Sequence, residues 1–208
     1  MFKNLLVTAV TAPLLFAVFS VSAMTYSFTN ITNNSGINLS DQLLVDVTGD
    51  ASTVYFKFTN NTFNNDVSSV GQIYFDIGTS SLTNMSIFAE NGVDFNIGAD
   101  PSELPGANTI SFVSEFQFGA DKPAPKNGIA DSSDFLTISG TGNLASITTA
   151  LSSGTFRIGM HVIALADKNS DGYVTGPSPV PVPAALPLMA SALGIFGIAR
   201  RRNAAKPA

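Results

Sequence analysis

Strict apolar–polar alternation, repeated in separate stretches, restricts what this 208-residue chain can become more than any other feature. In residues 52–59, Val54, Phe56 and Phe58 alternate with Tyr55, Lys57 and Thr59; in residues 72–77, Ile73, Phe75 and Ile77 alternate with Gln72, Tyr74 and Asp76. Residues 110–118 set Ile110, Phe112, Ser114, Phe116 and Phe118 on one parity. Successive strand side chains point to opposite faces, so each stretch predicts a strand with one buried face. Residues 25–30, 43–48, 82–88, 135–139 and 155–165 are further strand candidates, bounded by Asn, Asp, Gly and Ser. The Asn- and Asp-rich residues 60–66 read as a loop whose side chains serve the local backbone, and residues 101–106 and 119–128 as longer proline-containing loops. Residues 143–152 carry Leu144, Ile147 and Leu151 at helical spacing, with Asn143 placed to cap the start and Gly154 just past the end. The expected fold is all-β: a single antiparallel β-sandwich or jelly-roll-like domain with one short helix.

The ends of the chain obey different rules. Lys3 precedes an apolar run from Leu5 to Val21, and Val21, Ser22 and Ala23 are small residues ahead of Met24. Residues 1–23 therefore read as a secretory signal peptide, to be handled by the secretion machinery and removed. At the other end, residues 177–183 form a proline-rich spacer that cannot continue a sheet or helix. Residues 184–199 are uncharged and apolar or small; as a helix they reach about 24 Å. A hydrocarbon core is about 30 Å thick, and Arg200, Arg201 and Arg202 can close the difference by snorkelling to the interface. A basic cluster beside an apolar helix is retained on the cytoplasmic side, so residues 200–208 form a cytoplasmic tail and residues 24–176 the exported domain.

This three-part tail resembles the PEP-CTERM sorting signal of exported bacterial proteins. The matching residues are the V-P-x-P motif at Val180, Pro181, Val182 and Pro183, the Ala184–Leu188 run, and Gly194–Ala199 followed by three arginines. Val182 stands where the motif has Glu, and Asn203–Ala208 extend beyond the arginines. The resemblance covers about thirty residues, and its specificity lies in the order of the three parts. It implies transient anchoring in the inner membrane of a Gram-negative-type bacterium, processing by an exosortase-type membrane protease-transpeptidase, and delivery to the cell surface or the extracellular space. A softer likeness runs from Ser146 to Val174, where a short helix, Ser153-Gly154 and Arg157-Ile158-Gly159-Met160-His161-Val162 resemble the end of many exported β domains bearing such tails. It carries no catalytic residue across.

Without the ends, the exported domain holds five basic against fifteen acidic residues, a net −10 rather than the −5 of the whole chain. Such a domain lacks the basic footprint that neutralises phosphates, which argues against nucleic acid as a partner. There is no cysteine, so thiol catalysis and disulfide stabilisation are excluded.

Four groups of residues invite a chemical reading. Asp167, Asn169, Asp171, Tyr173 and Thr175 match the start of a calcium loop, with oxygen ligands at alternate positions and Gly172 at the sixth. Ser178 occupies the twelfth position, where such loops place a bidentate Glu; a polar turn is the competing reading. His161, the only histidine, has no nucleophile in a G-x-S-x-G setting and reads as a hydrogen-bonded structural group. Glu90 with Asp94, or Glu103 with Glu115, are the carboxylate pairs a glycoside hydrolase would need, in surroundings that do not distinguish them from solvated acids. Tyr26, Tyr55, Tyr74 and Tyr173 offer aromatic platforms for sugar rings, or cover a second sheet face. The expectation is a non-enzymatic surface or matrix protein, and the resemblance of its tail implies an association with extracellular polysaccharide. The alternatives are a carbohydrate- or calcium-binding adhesion module and, behind that, a matrix hydrolase.

Overall fold

The computed structural model describes residues 23–62 and 67–176. The signal peptide up to Ser22, the V-P-x-P motif, the apolar run of residues 184–199 and Arg200–Arg202 lie outside the described residues. Ten strands follow in order: β1 (Met24–Asn30), β2 (Leu43–Gly49), β3 (Thr53–Asn60), β4 (Ser69–Asp76), β5 (Thr83–Asn91), β6 (Phe95–Ile97), β7 (Phe116–Ala120), β8 (Phe135–Thr141), β9 (Arg157–Ile163) and β10 (Asp171–Thr175). All pair antiparallel, in the order β5-β8-β3-β2-β1-β10-β9-β4-β7-β6. The fold is all-β, as the alternation requires.

Strand β1 joins the two halves of this sheet. Its first residues, Met24–Ser27, pair with β2, and Phe28–Asn30 pair with β10. The sheet thereby folds back on itself, with its edge strands β5 and β6 brought into contact. One half is β5-β8-β3-β2 and the other β10-β9-β4-β7-β6. Between them lies the core, in which Phe75 of β4 meets Phe56 and Phe58 of β3 edge-on, with ring centroids 5.2 and 6.1 Å apart. Phe118 and Phe156 pack against the same ring at 6.0 and 6.3 Å. Each such pair adds about 0.5–1.5 kcal/mol beyond area burial, so Phe75 is the point where the two halves are locked together.

Among the described residues three α-helices occur rather than the one expected of the domain: α1 (Ala107–Ile110), α2 (Ala124–Asn127) and α3 (Leu144–Ser153). The first two are single turns set into proline-containing loops. Helix α3 is the one the sequence marks. The Asn143 side chain accepts from the Ser146 amide at 3.1 Å, and Gly154, at φ 74°, receives the chain in the left-handed region that a helix exit favours. Ile147 and Leu151 seat it on the core.

Two strand readings need correction. The alternation at 110–118 yields only β7, because Ile110 closes α1 and Phe112 packs with Tyr74, Leu104 and Ala107 in a separate cluster. Strand β4 is buried on both faces rather than one. Residues 99–112 form a cover over its outer side, so Gln72, Tyr74 and Asp76, at outward parity, are enclosed too.

Candidate functional site

The two outer faces of the folded sheet differ in what lies over them. On the β10-β9-β4 side the cover is fixed by specific contacts. The Tyr74 hydroxyl donates to the Pro101 carbonyl at 2.7 Å. Arg157 pairs with Asp76, the one ion pair among the described residues. The same guanidinium donates to the carbonyls of Ile110 and Ser111 at 2.7 and 2.6 Å, which satisfies acceptors at the end of α1. The cover also approaches backbone closely: a Cβ on Gly172 would stand 2.1 Å from the Pro105 carbonyl oxygen.

On the β5-β8-β3-β2 side no described residue covers the outer face. Alternation in β3 turns Tyr55 and Lys57 outward while Val54, Phe56 and Phe58 enter the core. Register sets Thr48 and Ser139 on either side of Tyr55, and Asp46 and Thr137 on either side of Lys57. The register between β5 and β8 shifts between Ile87 and Ala89, and Phe88 is the extra residue of that bulge. Its ring meets Tyr55 edge-on at 4.8 Å, yet remains 62% exposed. Lys57 extends over the ring of Phe135 at 4.5 Å, and Asp46 accepts from the Thr25 hydroxyl at 2.5 Å. Asp46, Thr48, Tyr55, Lys57, Phe88 and Thr137, with Ala23 at one side, line a shallow groove of about 470 Å³. An aromatic floor flanked by one cation, one carboxylate and threonine hydroxyls can bind a ligand with an apolar face and a polar rim.

The calcium-loop residues are placed differently. The start of the motif forms a 3₁₀ turn (Ala166–Lys168) that contains Asp167, and its second half is strand β10 rather than loop or turn. Asn169 and Asp171 lie at one end, beside residues 31–35 that leave β1. Asp171 Oδ1 accepts from the Thr32 hydroxyl at 2.7 Å and the Asn34 amide at 2.5 Å. Its Oδ2 accepts from the Ser35 amide at 3.1 Å and the Ser35 hydroxyl at 2.5 Å. Four donors fill the acceptor sites of an ionised carboxylate. Burial pushes the Asp171 carboxyl up, but the bonds from Ser35, Thr32 and Asn34 outweigh it and hold it below the usual range. Tyr173 is enclosed in the core, its hydroxyl donating to the Ile37 carbonyl at 3.1 Å. Burial and the Asp171 charge push that phenol up to about 12. Thr175 accepts from the Ile158 amide at 3.0 Å. Asp171 and Thr175, four strand residues apart, stand about 13 Å from one another, too far to share one cation. Among the described residues no three His, Asp or Glu side chains converge as a metal site would.

His161 is buried on β9, with Nδ1 2.5 Å from Gln72 Oε1 and no partner at Nε2. Burial lowers its pKa, and the charge of Asp171 offsets part of that. Of the carboxylate pairs, Glu90 and Asp94 are exposed near the β5–β6 connection, while Glu115 accepts from the Ile77 amide at 2.8 Å and Glu103 stands exposed in the cover. Of the four tyrosines read as sugar platforms, Tyr26, Tyr74 and Tyr173 are fully buried, and Tyr55 alone reaches the surface. Phe88 was not singled out from the sequence. Its signal was available, as an aromatic at outward parity beside the inward Met85 and Ile87. No family model, curated protein or solved structure matches this chain.

Proposed function

We propose that the chain is an exported, non-enzymatic surface protein, held briefly in the inner membrane by its C-terminal apolar segment and then processed behind the V-P-x-P motif. The observation that carries this reading is the order of the tail: Val180–Pro183, an uncharged run of sixteen residues, then Arg200, Arg201 and Arg202. The cutting partner is a membrane protease-transpeptidase of the exosortase type, and the destination is the cell surface or its matrix.

The described strands are consistent with this division. Strand β1 begins at Met24, directly after the expected signal-peptide cut, and β10 ends at Thr175, one residue before the described residues end and the proline-rich spacer begins. Removing residues 1–23 and 177–208 leaves all ten described strands intact. The strands that carry the two ends are also neighbours, Phe28 lying opposite Thr175. Strand β10, the last described strand before the spacer, is thus paired on both sides.

Intact mass spectrometry of the exported protein tests the reading. The expected species begins near Met24 and lacks Ala184 onward, and replacing Pro181 and Pro183 with alanine should make the uncut form accumulate in the membrane fraction. An exported species that keeps its arginine tail would overturn it.

A further inference from the structure

We infer that the open outer face of β2, β3, β8 and β5 is a binding site for a neutral polysaccharide, with Tyr55 and Phe88 as its aromatic floor. The inference stands on the geometry of this face and does not depend on how the protein is sorted.

A pyranose ring has a C–H face, which is apolar, and a rim of hydroxyls. The first packs on an aromatic side chain; the second needs donors and acceptors beside that ring. Tyr55 and Phe88 supply the floor, 4.8 Å apart and edge-on. Thr48, Thr137, Asp46 and Lys57 surround it and present hydroxyls, one acceptor-only group and one donor-only group. Pockets for small ligands have this composition, mainly apolar with a few placed polar groups, over volumes of about 300–1,000 Å³; here the volume is about 470 Å³.

The groups are also held in place before any ligand arrives. Tyr55 and Lys57 stand on a strand paired on both sides, by β2 and by β8. Asp46 is oriented by the Thr25 hydroxyl at 2.5 Å, and Lys57 lies over Phe135 at 4.5 Å. Phe88 is brought out by a bulge, the device by which a strand re-aims one side chain. Pre-organisation of this kind reduces the entropy lost on binding.

Charge selects the class of glycan. Asp46 and Lys57 face each other across the β2–β3 ladder, so the groove itself is close to neutral. Around it the exported domain carries −10, which repels a polyanion and leaves an uncharged chain unaffected.

Native affinity electrophoresis of the detergent-solubilised full chain, in gels containing dextran, yeast mannan, hydroxyethyl cellulose or alginate, provides the test. Retardation is expected by at least one of the three neutral polymers and not by alginate. Tyr55→Ala and Phe88→Ala should each weaken it about tenfold or more, equivalent to about 1.4 kcal/mol. Lys57→Gln should weaken it less. Melting curves matching the parent would show that the variants fold; Tyr55→Phe, which keeps the ring, should retain most of the binding and is the second check. Three results would overturn the inference: no retardation by any neutral polymer, retardation indifferent to Tyr55→Ala and Phe88→Ala, or retardation by alginate alone. A concentration-dependent dimer that Phe88→Ala abolishes would also overturn it, by assigning the face to a second copy of the chain.

Discussion

Tyr74 and Tyr55 occupy equivalent places in their strands, each at outward parity between two inward apolar neighbours, Ile73 and Phe75 for the first and Val54 and Phe56 for the second, and they meet opposite fates. Tyr74 lies under residues 99–112, its hydroxyl bound to Pro101 and its pKa raised by burial and by the nearby charge of Asp100. Among the described residues, Tyr55 is met on the outer face by the edge of Phe88. The pattern of a strand decides which side chains point outward; what waits outside is decided by a distant loop. An outward aromatic is a binding platform only on the face that no loop covers.

Disturbing the covered face should therefore cost stability, and disturbing the open face should not. The largest effect is expected at the clamp beside the cover, where Asp171→Ala strands four donors from residues 32–35. Charge-assisted bonds contribute about 1.5–3 kcal/mol each and are not additive, so a loss of about 3–5 kcal/mol in urea unfolding is expected. Leu104→Ala, which empties the centre of the cover, should cost about 2–4 kcal/mol. Gly172→Ala places a methyl against the Pro105 carbonyl and should lift the cover at a cost of about 1–3 kcal/mol, visible as faster amide exchange in residues 99–112. On the open face Tyr55→Ala and Phe88→Ala should each change stability by less than about 1 kcal/mol. Equal losses on the two faces would break the comparison.

A pH dependence of smaller size belongs to the covered half. The folded-state pKa of His161 is lowered, first by burial and against the influence of Asp171. The unfolded chain binds the proton more readily, so this contribution is complete above about pH 6.5 and is lost as pH falls toward the folded value. A melting temperature that declines below about pH 6.5, and declines less in His161→Gln, is the expected result.

Much of the fold was legible because alternation is a local signal. Residues 52–59 became β3 within one position, and residues 143–152 became α3 with the cap and exit assigned to Asn143 and Gly154. Where the strands depart from the local reading, long-range packing overrules local chemistry. Asp171-Gly172-Tyr173 reads as metal loop or turn by residue type, but β1 and β9 offer ladders on both sides and draw it into a strand. Phe112 carries the parity of a strand, but the surface of Tyr74 offers a better burial outside the sheet. The open site was half legible. Tyr55 followed from parity, whereas the approach of Phe88 depends on a bulge that no spacing announces.

The handover of β1 from β2 to β10 has a mechanical consequence. A pull on the chain beyond Gly176 enters the molecule through β10, whose neighbours are β1 on one side and β9 on the other. The load is then shared by two ladders at once, and through β1 it passes into the opposite half of the sheet. Asp171, at the far end of β10, ties the same strand to the Thr32–Ser35 loop. A domain connected to its surroundings at that point is built to be tugged without fraying from the end, a resistance set by its unfolding rate under force rather than by its equilibrium stability.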